Sequence, residues 1–130
     1  MAYGNKIDVL LVQPDEIPKV IKISNTLKAK QNLVNGRIQV CYLLKDNEVC
    51  LICNDESKID DSLPNRIIGH DIIYGNFFIV GDDYVNADFK SLTNKQIKKY
   101  QELFGEESIR KTSRILNARK LVYDIVHKKY

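Results

Sequence analysis

Two amides and a guanidinium flank one apolar segment of this chain. Asn54 closes the run Val49-Cys50-Leu51-Ile52-Cys53, and Asn65-Arg66 follows Pro64, whose ring fixes the local backbone. Amide and guanidinium donors gathered at a strand end can hold an anion or a planar ligand, the guanidinium through paired N–H donors. Asp71 follows closely and could join such a site. The alternative is that Asn65 caps a turn and Arg66 pairs with Asp71 or a loop acid. The expected ligand-binding set is Asn54, Asn65, Arg66 and Asp71.

Other chemistry is less well supplied. Cys50 and Cys53 have the spacing of a redox or zinc motif, but on a strand residues three apart point to opposite faces. Core cysteines are the favoured reading. His70-Asp71 offers an acid/base pair in principle, with no nucleophile marked beside it. His127 sits at a helix end, where it suits the dipole. Asp55-Glu56 and Asp60-Asp61 could attract a cation, yet they lack the ordered oxygen pattern of a calcium loop. Gly69, Gly75 and Gly81 surround strands and do not form a phosphate loop. No metal or cofactor is expected.

The elements that position these residues read as follows. Lys6 to Gln13 and Pro18 to Ile23 are strands. Ser24-Asn25 caps a helix over residues 26–34 that stops at Gly36. Arg37 to Leu44 and Glu48 to Asn54 form a hairpin through Lys45-Asp46-Asn47. Both faces of the second strand are apolar, so it should be covered on both sides. Arg66 to Ile68 and Ile72 to Tyr74 are short apolar pieces, Asn76 to Gly81 is a strand, and Asp82 to Lys90 reads as loop. Thr93 and Gln96 form a capping box, with Leu92 and Ile97 as its hydrophobic staple. That helix ends at Gly105, and a second helix runs from about Glu106 to His127. Without regular β-α-β alternation, the expected class is α+β: a mainly antiparallel sheet of about five strands, one internal helix and two C-terminal helices.

The 130 residues suit one domain, and the 44% apolar and 28% charged fractions are those of a globular protein. Residues 1–104 carry 13 Lys/Arg against 14 Asp/Glu, whereas residues 105–130 carry 7 against 3. The C-terminal helix is therefore basic, and Arg110, Arg114 and Lys128 share one side of it, which raises nucleic acid or an acidic partner. Its apolar stripe of Ile115, Ala118, Val122 and Ile125 makes a homodimer possible. No run is long and apolar enough for a membrane span, and the N-terminus lacks the apolar core of a signal peptide. The expected location is the cytoplasm, in keeping with an odd count of three cysteines. Abundant Lys, Ile and Asn point to an AT-rich bacterial or phage genome.

One stretch carries a resemblance. Ile52-Cys53-Asn54, Leu63-Pro64-Asn65-Arg66 and Asp71 through Gly81, together with residues 33–40 and the helix from Leu92 to Phe104, resemble the domain of unknown function 3846 family over residues 7–104. Its motif residues fall on Asn54, Pro64, Asn65, Arg66, Gly75 and Gly81. The resemblance implies a small protein of bacteria, phages or mobile elements with no established reaction, and says nothing of the helix after Gly105. The function expected first is a non-enzymatic accessory binding protein of a phage or mobile element. It would interfere with a host defence by binding a host protein or sequestering a small anionic ligand. The alternative is a nucleic-acid-binding module acting through the basic helix. An enzyme using Arg66 with Asp71 or His70 ranks last.

Overall fold

Alternating apolar residues place five strands side by side in one antiparallel sheet, which a short sixth strand joins at one end. A computed structural model describes residues 5–57 and 62–127. Strand β1 (Lys6–Val12) pairs with β2 (Lys19–Ser24), helix α1 (Leu27–Val34) follows, and β3 (Ile38–Cys41) pairs with β4 (Val49–Asn54). Next come a ribbon of β5 (Pro64–Ile68) and β6 (Asp71–Tyr74), the long β7 (Phe77–Asp83), and a short β8 (Asp88–Lys90). Helices α2 (Asn94–Leu103) and α3 (Glu106–Val126) end the chain. The sheet order is β2-β1-β7-β4-β3, and β8 joins the far end of β7. The class is α+β, as expected.

Period-two alternation builds a core on each face. Leu10, Val12, Val49, Leu51, Cys53, Phe77 and Ile79 pack on one side with Tyr100 and Phe104 of α2 and Ile73 of the ribbon. Ile7, Val9, Leu11, Cys50, Ile52, Phe78 and Val80 pack on the other with Val34 of α1. All six residues of β4 are buried, as two apolar faces require. Cys50 and Cys53 belong to opposite cores, as strand parity requires.

The capping box is complete: the Thr93 hydroxyl accepts from the Gln96 N–H at 3.1 Å, and the Gln96 amide oxygen accepts from the Thr93 N–H at 2.9 Å. Four boundaries differ from expectation. Thr26, not Ser24 or Asn25, caps α1, because the Asn25 side chain is drawn to Asp88 and Phe89. Asn35, not Gly36, takes the left-handed turn at its end, with φ 60°. β3 stops at Cys41 rather than Leu44. Part of the segment expected as loop pairs with β7 as β8: Gly81 stands opposite Lys90.

Candidate functional site

The expected set divides into a buried pair, Asn65 and Arg66, a separately buried Asn54, and an exposed Asp71. Arg66 is fully buried and lies beneath the sheet, not beside solvent. One terminal nitrogen donates to the carbonyl oxygens of Glu16 at 2.7 Å and Phe104 at 2.9 Å. The other donates to the Asn65 side-chain oxygen at 2.9 Å, the Asn65 carbonyl at 3.2 Å and the Gln13 carbonyl at 3.4 Å. The Asn65 amide nitrogen in turn donates to the carbonyls of Val12 and Gly75 at 2.9 and 2.8 Å. Burial pushes the guanidinium down to about 10, so it is charged at neutral pH, with the Asp15 carboxylate acting in the opposite direction. Every acceptor is neutral, and the pair joins the end of β1, the β1–β2 connection, the ribbon and the end of α2.

Asn54 is a separate device. Its amide nitrogen donates to the carbonyls of Val34 and Asn35 at 3.0 and 3.2 Å, closing the end of α1. Its oxygen accepts from the Glu56 N–H at 2.8 Å. Asn65 and Arg66 thus come together, and Asn54 works elsewhere. The terminal nitrogens of Arg66 donate to neutral oxygens of the chain itself, whereas its buried Nε–H has no hydrogen-bond partner among the described residues. Nor does Arg66 pair with Asp71, which is exposed beside His70 at the ribbon tip. That separation also removes the geometry of an enzyme built on Arg66 with Asp71 or His70.

The structure instead opens a cleft of about 610 Å³ between β3, the end of β4 and β6. That volume is within the range of small-molecule sites. Cys41, Tyr42, Cys53, Asp55, Asp71 and Tyr74 are among the residues that line it, as are the buried Asn54 and Ser57. Asp55 is engaged by Arg37 at 3.0 Å, leaving Asp71 as the exposed lining carboxylate without an ion pair among the described residues. The surface is aromatic, thiol-bearing and acidic. Among the described residues no group of three or more His, Cys, Asp or Glu is placed to hold a metal ion.

The cleft is illegible in the sequence because the ribbon that walls it shows only as two short apolar pieces. Gly69, with φ 62°, is the available signal: a left-handed residue between two short apolar runs marks a hairpin.

The family model described as Domain of unknown function (DUF3846) matches residues 7–105, from the start of β1 to the end of α2. The chain belongs to the DUF3846 family. No curated protein and no solved structure gives a significant match. The DUF3846 match stops at Gly105, the residue that precedes α3.

Helix α3 therefore lies beyond the family region. Arg110 is held by Glu106 at 3.6 Å and Glu107 at 3.2 Å on the same helix. Arg114 is exposed, and Lys128 lies outside the described residues, as do Asp60 and Asp61. Leu121, Val122, Tyr123, Ile125 and Val126 are each at least 60% exposed, so the expected apolar stripe is half-buried at Ile115 and uncovered at Val122 and Ile125 among the described residues. No described helix is long and apolar enough to cross a membrane.

Proposed function

We propose that this protein is a non-enzymatic binding module whose ligand enters the cleft between β3, β4 and β6. The ligand is a small aromatic or apolar group bearing a positive charge, free or as a side chain of a host protein. The observation that carries this reading is the exposed Asp71 carboxylate lining a recess that Tyr42 and Tyr74 also line. Aromatic faces and a carboxylate together favour a cationic group. The same features argue against the anionic ligand, because Arg66, the buried cation of the ribbon, directs its terminal nitrogens to oxygens of the chain itself.

A role as an accessory protein of a phage or mobile element that blunts a host defence is a proposal of the same kind. Its support is the family's occurrence and a small chain without a recognisable catalytic set. Titrating isotope-labelled protein with benzylammonium, and in parallel with benzoate, tests the cleft. Benzylammonium should move the amide resonances of Cys41, Tyr42, Asp71 and Tyr74 saturably. Asp71→Asn should weaken it about fivefold, the size of one partly exposed ion pair. Preference for benzoate, or shifts confined to other surfaces, refutes the reading.

The second reading, nucleic-acid binding through α3, rests on Arg114, which is exposed and has no ion-pair partner among the described residues. It requires binding that falls steeply with salt. The engagement of Arg110 by two glutamates weighs against it.

A further inference from the structure

Cys41 and Cys53 sit on neighbouring strands of the β3–β4 hairpin, diagonal to one another, since Cys41 stands opposite Leu51 and Cys53 opposite Gln39. Residues 39, 41, 51 and 53 share one face, so both side chains rise on the same side. Their sulfurs are 2.6 Å apart. Both line the cleft, Cys41 half-buried and Cys53 buried behind it. Cys50, the remaining cysteine, belongs to the opposite core.

We propose that Cys41 and Cys53 form a dithiol site that a small-molecule disulfide entering the cleft oxidises to an intramolecular disulfide, with Cys41 as the attacking sulfur. The Cys41 thiolate attacks one sulfur of the reagent. A mixed disulfide forms, the reagent's S–S bond breaks, and the first thiolate leaves and takes a proton from solvent. Cys53 then gives its proton to solvent and attacks the Cys41 sulfur. The Cys41–Cys53 bond forms, the mixed disulfide breaks, and the second reagent thiolate leaves and is protonated. Two electrons pass from the cysteines to the reagent, which departs as two thiols.

Three observations support this assignment of roles. The closing sulfurs are already in contact, so closure needs no movement of one strand past the other. The more exposed sulfur is the one an incoming reagent meets first. The hydrogen bond between the thiols holds Cys41 below and Cys53 above the ordinary thiol range, which makes Cys41 the first to ionise; burial and the Asp71 charge oppose this at Cys41. Cys50 is the internal control: burial and Asp82 push it up to about 11. In a reducing compartment such a pair rests as the dithiol and oxidises conditionally. The bond would pin edge strand β3 to β4 across the floor of the cleft. The inference needs the cleft open but not any particular occupant, so it does not depend on the cationic-ligand reading.

The test uses the full chain with no cleft ligand. Native protein is equilibrated with glutathione buffers of increasing oxidised fraction, trapped with an alkylating agent and mapped by peptide mass spectrometry. Cys41 and Cys53 should leave the alkylated pool together, as one intramolecular disulfide, while Cys50 is found reduced. Phenylarsine oxide, which bridges paired thiols, should protect the same two residues. Cys53→Ser should accumulate glutathione at Cys41, whereas Cys41→Ser should accumulate little at Cys53. A Cys50–Cys53 bond, independent oxidation of Cys41 and Cys53, or no disulfide in oxidised buffer overturns the proposal. So does equal glutathionylation of the two single variants. The wild-type mapping decides the pairing even where a variant folds poorly.

Discussion

The guanidinium of Arg66 donates to the carbonyl oxygen of Phe104 at 2.9 Å, fastening the β5–β6 ribbon to the residue that ends the family region's final helix. Phe104 caps α2, and its ring meets Phe77 edge-on at a centroid distance of 5.3 Å. One buried cation thus serves a helix end that has lost its intrahelical partners. The same group reaches the β1–β2 connection through Gln13 and Glu16. A backbone that would otherwise present several orphaned carbonyls is satisfied from a single side chain.

Removing that side chain should be costly. Arg66→Ala leaves the Glu16 and Phe104 carbonyls without these donors and opens a void, for a loss of roughly 3–5 kcal/mol. Arg66→Lys keeps the charge but cannot reach carbonyls on opposite sides of a planar fork, and should fall between the two. Urea unfolding measures both. A loss below about 1 kcal/mol for the alanine variant would show that Arg66 is not holding the ribbon in place.

The architecture was readable where period and caps spoke for themselves. The two-faced apolar run of β4, the capping box at Thr93 and the opposed sulfurs of Cys50 and Cys53 follow from local rules. Arg66 did not, because its partners are carbonyls of Gln13, Glu16 and Phe104, distant in sequence and carrying no residue signature. The Cys41–Cys53 pair depends on the register of a hairpin whose connection runs from Cys41 to Val49, longer than the turn residues Lys45-Asp46-Asn47 suggest. The cleft needed the ribbon, whose strands of five and four residues are too short to show a period.

Gly36 and Asn54 should prove coupled. A Cβ at Gly36 would lie 2.6 Å from the Asn54 amide nitrogen, inside any allowed contact. Gly36→Ala should therefore cost about 1–3 kcal/mol by overpacking. Asn54→Ala should cost about 1–3 kcal/mol by stripping the Val34 and Asn35 carbonyls of their donor. Once Asn54 is gone the alanine has room, so the double variant should lose less than the two single losses combined, by at least 0.5 kcal/mol on the scale typical of contacting residues. Additive losses in a double-mutant cycle would contradict the contact.

The Tyr100 hydroxyl donates to the Asp46 carboxylate at 2.5 Å, joining α2 to the β3–β4 connection. This bond, helped by the Glu48 N–H, holds Asp46 below the ordinary carboxylate range, with burial opposing it. A carboxyl depressed in the folded state contributes stability above its unfolded pKa of about 3.9 and loses it as pH falls through the lower folded value. Tyr100→Phe should therefore cost about 1.5–3 kcal/mol at neutral pH, and the gap to wild type should narrow below about pH 4. A gap that is constant from neutral to acid pH would mean that Asp46 stays unlinked to folding.

The exposed end of α3 offers the last discrimination. Val122 and Ile125 are 60% and 62% exposed, so truncating them removes little burial from the folded chain. Val122→Ala and Ile125→Ala should each change stability by less than about 0.5 kcal/mol in dilute protein, whereas Leu10→Ala in the core should cost about 2–5 kcal/mol. A second copy seated on this helix would leave a different signature, because a bound partner raises Tm with protein concentration. Scanning calorimetry across a wide concentration range, on wild type and Ile125→Ala, separates the two cases. A concentration-dependent rise that the substitution abolishes would assign the stripe to self-association, and a flat response would leave it to a partner of another kind.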